Sequence, residues 1–199
     1  MLGLDSQVSL RGGRPVSVKH WAFTVDDYMR MLEAGILTED DPIELIDGEI
    51  IEMSPIGDLH AATVKKGNAV FSRLIGQRAI VSVQDPIRLD NYSEPQPDLA
   101  LLKPRNDYYA QAKPTPAAVF LVVEVADSSV QFDRNVKVPL YARALIPLVW
   151  LVDLTAGVIE VYSQPANGVY QSVQTARRGD RLTIDSLPGL AIMVDDILG

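Results

Sequence analysis

The segment Phe120-Leu121-Val122-Val123-Glu124-Val125-Ala126 sets the strongest constraint on how this chain folds. With the apolar run that begins at Ala117, it reads as a central strand buried on both faces, so other layers must cover both sides of its sheet. Glu124 interrupts it. A charge in such a place is very costly unless it is paired or bound to a metal. Either the carboxylate sits at a solvated strand end, or it is buried for a chemical purpose.

The rest of the chain can build such a sheet. Its 199 residues are 47% hydrophobic and include no Cys, the make-up of one soluble globular domain over residues 19–199. A domain of this size removes roughly 70% of its unfolded surface from water without metal or disulfide staples. The longest apolar runs, Ala117 to Val123 and Ala144 to Val152, stop short of the ~20 residues of a membrane-spanning helix. Met1 to Leu10 carries Asp5 and no basic start, so it does not read as a signal peptide. The cytoplasm is the expected location, and the absence of Cys fits a reducing compartment. The formal charge of −8 argues against a protein that coats DNA through clustered basic groups. It leaves room for an enzyme whose carboxylates hold divalent cations, since a bound ion reverses the local field.

Residues 1–18 show no periodicity around Arg11-Gly12-Gly13-Arg14-Pro15 and read as a flexible N-terminal arm. Thr24, with Asp27 three residues on, predicts a capped helix whose stripe is Tyr28, Met31 and Leu32 and whose stop is Gly35. Ile43 to Met53 holds two β-rich runs about Asp47-Gly48, a hairpin signal. A second helix is expected from His60 to Ile75. Strands follow at Ala79–Val83, Pro86–Leu89, Asp98–Leu102 and Val119–Ala126. Asp133–Leu145 reads as helix, with Pro139 allowing a start near Lys137. Leu148–Val152, Val158–Tyr162 and Val169–Val173 complete the pattern. The fold class is α/β, mixed α+β: a central mixed sheet flanked by helices, with additional β-hairpins.

Other polar residues stand among apolar ones. Asp98 follows Pro97 and opens Leu99-Ala100-Leu101-Leu102; read alone, it is a turn residue before a strand. Glu44, between Ile43 and Leu45, reads alone as the solvent face of an amphipathic strand. Lys137 lies about one helical turn after Asp133 and one before Tyr141; alone, it is a solvated surface lysine. As a set they describe different chemistry. Asp and Glu make a hard oxygen site suited to magnesium or manganese, and a lysine beside it orients or deprotonates an attacking water. Zinc is disfavoured, because the chain offers only His20 and His60 and no Cys for the nitrogen and sulfur shell zinc favours.

These blocks resemble the Uma-type restriction endonuclease family, whose fold is that of the PD-(D/E)xK nucleases. The resemblance runs from about Thr24 to Tyr162. It rests on Glu44-Leu45-Ile46-Asp47-Gly48-Glu49, Met53-Ser54-Pro55, His60, Gln96-Pro97-Asp98-Leu99, Val122-Val123-Glu124-Val125 with Ser128, Asp133, Lys137, Tyr141-Ala142 and Trp150-Leu151-Val152-Asp153. It implies a restriction-endonuclease-like core in which Asp98 and Glu124 are metal-binding carboxylates, with the carbonyl of Val125 as a further ligand. Lys137 takes the role of the motif lysine, moved from the strand to the following helix, since the position two residues after Glu124 is Ala126. Glu44 is the additional acid, binding a second ion or holding the lysine or water. His60 contacts phosphate, steers Glu44, caps a helix or is a core imidazole. Asp127, beside the site, joins the metal shell or faces solvent.

The function this implies is a metal-dependent endonuclease that hydrolyses DNA phosphodiester bonds with Mg or Mn, acting as a homodimer. Lys65, Lys66, Arg73, Arg88 and Arg134 are candidate phosphate contacts, each individually more at home on a solvated face. The alternative keeps the fold without the chemistry: a catalytically inactive nuclease-fold binding or regulatory module, dimeric, favoured by the acidic charge and the missing strand lysine. A serine hydrolase built on Ser54 or Ser128 is poor, because neither lies in a nucleophile elbow.

Overall fold

The computed structural model describes residues 20–38 and 40–199, together with the backbone of two short strands, β1 (Ser6–Val8) and β2 (Val16–Val18), paired antiparallel. The arm expected over residues 1–18 otherwise lies outside the described residues. Helix α1 (Val25–Glu33) carries the expected capping box, the Thr24 hydroxyl accepting the Asp27 N–H and the Asp27 carboxylate accepting the Thr24 N–H, each at 3.1 Å. Strands β3 (Ile43–Ile46) and β4 (Glu49–Glu52) form the expected hairpin. Asp47 and Gly48 turn it at φ +50° and +83°, the left-handed pair of a type I′ turn.

Helix α2 (Asp58–Ile75) is followed by β5 (Ile80–Val83), β6 (Leu99–Leu102) and β7 (Val119–Ala126). Next come α3 (Val130–Phe132), a π-helical turn (Asp133–Lys137) and α4 (Val138–Arg143). The chain then forms β8 (Leu148–Asp153), β9 (Val158–Ala166), β10 (Val169–Ala176), β11 (Arg181–Thr183), β12 (Ala191–Met193) and α5 (Val194–Leu198). The central sheet has six strands in the order β10-β9-β8-β7-β6-β5. Only the β7–β8 pair is parallel, joined by the helical crossover; the other neighbours are antiparallel. This is the mixed sheet flanked by helices that the sequence predicts. Among the described residues no helix is long and apolar enough to cross a membrane.

The two-residue period of β7 sorts its side chains. Leu121, Val123 and Val125 pack with Val64, Val70 and Phe71 of α2 and with Leu182, Ile192 and Ile197 of the C-terminal elements. Val122 and Ala126 face the other way, onto Val138, Leu140 and Tyr141 of α4. Glu124 shares that second face, so the strand aims its one acid at the helix that follows it.

Several boundaries differ from expectation. Pro86–Leu89 is not a strand: Ile87, Arg88 and Leu89 give their N–H groups to the carbonyls of Pro95, Pro114 and Ser93, three separate loop positions. Ile87 is fully buried and Leu89 nearly so, so the apolar signal was real but irregular backbone satisfies it. The helix read from Asp133 starts earlier, at Val130, and neither begins at Lys137 nor stays α-helical through it. Pro139 has no N–H for the carbonyl of Asn135, and in an α-helix its ring would press on that carbonyl. The wider turn relieves this: the Val138 N–H bonds the carbonyl of Asp133, five residues back. The elements after Ala176, which cover the α2 side of the sheet, carry no strong periodicity and escaped the sequence reading.

Candidate active site

Strand β3, the loop before β6, the end of β7 and the π turn converge on a cavity of about 510 Å³. The residues to which the resemblance gives catalytic, metal-binding or substrate roles all line it: Glu44, His60, Asp98, Glu124, Val125 and Lys137. Neither solvated reading of the acids holds, since Glu44 is 4% and Glu124 2% exposed. Nor is Lys137 a surface lysine, at 2%.

Lys137 is the hub. Its Nζ lies 3.0 Å from Glu44 Oε1 and 3.4 Å from Glu124 Oε1. Burial acts to lower the pKa of this ammonium, but the carboxylates of Glu124, Glu44 and Asp133 outweigh it and hold the lysine charged above its ordinary range. Burial pushes Glu44 up, offset in part by Lys137 and by the Gln96 N–H. It pushes Glu124 well up, again against the lysine. Glu124 Oε1 also accepts from the Tyr141 hydroxyl at 2.5 Å; burial and the nearby carboxylates keep that phenol protonated. Glu44 Oε2 is buried with no hydrogen-bond partner among the described residues.

Asp98 is anchored separately. The ladder between β6 and β7 ends at Leu99–Val123, and beyond it the Val125 N–H donates to Asp98 Oδ2 at 2.8 Å. His60 Nε2 meets the same oxygen at 3.0 Å, and the Gln84 amide meets Oδ1 at 3.4 Å. The hydrogen bond to Asp98 raises the His60 pKa against the effect of its burial, so the Nε2–H donates. His60 therefore steers Asp98, not Glu44. Gln84 holds φ +54°, a left-handed conformation that a side chain other than glycine adopts at a cost of roughly 1 kcal/mol.

Three residues join the site without having been assigned a role. Asp133 is 3% exposed, accepts from the Ser129 hydroxyl at 2.6 Å and is raised by burial. Tyr141 and Gln84 are the others. The legible signal was the spacing of four that links Asp133, Lys137 and Tyr141. On an α-helix each such step turns the side chain roughly 40° further, about 80° over two, which would carry Tyr141 away from the others. The π turn takes up one extra residue and returns all three to one face. Asp127 is exposed at the rim. The candidate phosphate contacts do not line the cavity: Arg88 pairs with Asp26, Arg134 pairs with Asp153 and Glu160, and Lys65, Lys66 and Arg73 are exposed along α2.

Chemically the cavity is rich in hard oxygen donors and poor in cations. Around Lys137 and His60 stand the carboxylates of Glu44, Asp98, Glu124 and Asp133, an excess of negative charge that a divalent cation would relieve. Among the described residues, no group of three or more His, Asp or Glu is disposed to hold a metal ion as it stands. Their oxygens are drawn instead to Lys137, Tyr141, His60 and the Val125 N–H.

A family model named Uma2 and described as "Putative restriction endonuclease" matches residues 25–195. Among solved structures, the crystal structure of a "putative nuclease belonging to DUF820" from Anabaena variabilis superposes with a TM-score of 0.69 at 17% sequence identity, covering 88% of this chain and 97% of that one. At that identity the likeness speaks for the fold. No curated protein matches.

Proposed function

The chain belongs to the Uma2 family, and on that premise we propose that it is a metal-dependent nuclease that hydrolyses DNA phosphodiester bonds. The observation that carries the reading is the pairing of Lys137 with both Glu44 and Glu124 inside a cavity that also holds Asp98. It supports a lysine supplied by the helix in place of one on the strand, where Ala126 is fully buried.

In this reading Asp98, Glu124 and the carbonyl of Val125 would hold the ion, and the oxygen-only donor set fits magnesium or manganese. When bound, such a cation stabilises charge on the phosphate and acidifies water. Lys137, kept charged by its carboxylates, orients the attacking water and meets charge developing on the phosphate oxygens; it does not act as the base. Glu44 Oε2, buried and without a partner among the described residues, takes the proton that leaves the water, and burial moves this carboxyl toward the range a base needs. Tyr141 and His60 position Glu124 and Asp98. The dimer implied by the resemblance and the cytoplasmic location expected from the sequence belong to this reading as well.

The alternative, an inactive module that keeps the fold, is favoured by one observation: the acids are already engaged by groups of the chain itself. Incubation of plasmid DNA with magnesium or manganese decides between them. The active reading expects nicking that Asp98→Asn and Glu124→Gln each lose; nicking unchanged in both variants would overturn it.

Gln84 supplies a finer test. Gln84→Gly relieves the left-handed strain and is expected to leave stability unchanged or raise it by up to about 1 kcal/mol in urea denaturation. Losing a donor to Asp98 is expected at the same time to weaken manganese binding about 10-fold or more. A variant that lost stability without losing affinity would make Gln84 structural only.

A further inference from the structure

The groups that would touch a scissile phosphate lie deep. Lys137, Glu124, Glu44 and Asp98 are all buried, at the floor of a cavity of about 510 Å³, which is the size of a small-molecule pocket. A phosphate has to descend into it to be reached. Loops at residues 40–42, 53–57 and 127–129 raise the wall around that floor. Two of them meet: a Cβ placed on Gly57 would stand 3.9 Å from Asp127 Oδ2, so no strand can pass between them.

The charge at the rim has one sign. Asp40, Asp41 and Asp127 are exposed there, and among the described residues the lining offers no arginine and no lysine other than Lys137. The exposed rim also includes the apolar Pro55 and Ile56, the latter 59% exposed. Attraction for a phosphate is thus confined to the depth of the cavity, below a mouth that repels anions.

A duplex meets such a mouth badly. It carries one negative charge per about 1.7 Å of axis and is stiff over this scale, so the phosphates flanking the one to be cut cannot swing away. With a Debye length of about 8 Å at physiological ionic strength, they feel the rim carboxylates directly. An unpaired strand turns at its backbone bonds, so one phosphate can enter while its neighbours move clear. Its bases, free of their partners, can lie against Pro55 and Ile56. Drawing a nucleotide out of a duplex costs a few kcal/mol, a cost an unpaired one does not bear.

We propose that the substrate is DNA in unpaired form, a single strand or an opened segment, and that the acidic rim excludes the intact duplex. This rests on the nuclease reading above and adds the class of substrate to it. Each cut consumes one water and leaves a phosphomonoester and a hydroxyl. Proteins that hold single strands tightly do so through a positive groove; here selection works by exclusion.

The test offers one labelled oligonucleotide, free and annealed to its complement, in manganese, beside bis(p-nitrophenyl) phosphate, a diester too small to reach the rim. The free strand is expected to be cut at least about 10-fold faster than the duplex. A negatively supercoiled plasmid, in which strand separation is favoured, is expected to be nicked, and the same plasmid relaxed beforehand to resist. Asp40→Asn/Asp41→Asn keeps the side-chain acceptors, including the one for the Thr38 N–H. It is expected to speed the duplex more than the free strand, narrowing the ratio about 3-fold or more. Duplex cut as fast as the free strand, a ratio the rim variant leaves unchanged, or turnover of the small diester alone would overturn the proposal while the cation chemistry stood. Cleavage of none of them would overturn the nuclease reading, and this inference with it.

Discussion

Replacing Lys137 with Met is expected to destabilise the fold by about 3–5 kcal/mol at neutral pH and to lower any nuclease activity at least 100-fold. The stability loss comes from what remains behind. Glu44 and Glu124 are almost fully buried, and without the ammonium each must discard its charge or hold it unpaired. The sign of the pH dependence follows. Burial raises Glu44, Glu124 and Asp133 above ordinary carboxyls, so the native state binds their protons more tightly than the unfolded chain does. The stability this confers is full below the ordinary carboxyl range and is lost as pH rises through the raised values. With Lys137 gone those values rise further, so Lys137→Met should be markedly more stable near pH 5 than near pH 8. Urea denaturation at both values checks this; a loss below about 1 kcal/mol, or one that grows as pH falls, would contradict the pairing.

Trp150→Ala is expected to cost about 3–5 kcal/mol, as deletion of a large core aromatic does. Trp150 is fully buried on β8, with its ring centroid 6.0 Å from that of Phe71 on α2. It thus ties the helix that carries His60 to the sheet that carries Glu124. Its Nε1–H is buried without an acceptor among the described residues, which separates two substitutions. Alanine leaves a cavity. Phenylalanine fills most of the space and removes the unsatisfied donor, so Trp150→Phe is expected within about 1.5 kcal/mol of the unaltered chain. Equal losses from the two would show that the indole N–H does have a partner in solution.

Local chemistry was readable from the sequence wherever a short stretch settles its own structure. Thr24 with Asp27 and Asp47 with Gly48 satisfy or turn the backbone within a few residues, and both appear where expected. Glu124 was readable for a different reason: an acid in so apolar a strand has few explanations. Glu44 was harder. Taken alone, its alternation with Ile43 and Leu45 points to solvent, yet Glu44, Leu45 and Ile46 are all buried, because contacts distant in sequence cover both faces of β3. Pro86–Leu89 failed likewise: burial of Ile87 and Leu89 is set by loops around Pro95 and Pro114 that no local pattern reports. The π turn was legible only in part. Pro139 signals a break in the helix, but whether the helix starts afresh or widens is decided by packing, here by the salt bridges of Lys137 and the hydrogen bond of Tyr141 to Glu124. The four-residue spacing of Asp133, Lys137 and Tyr141 gains meaning only once the wider turn is seen.

The central claim is that Asp98 and Glu124 form a cation site served by a helix-borne lysine, and calorimetric titration with manganese tests it most directly. A cleavage assay depends on offering the right DNA; the titration does not. The unaltered protein should take up manganese with measurable heat, and an Asp98→Ala/Glu124→Ala variant should take up none at millimolar metal. Uptake by neither, or equal uptake by both, would contradict the account and leave a nuclease fold without its chemistry.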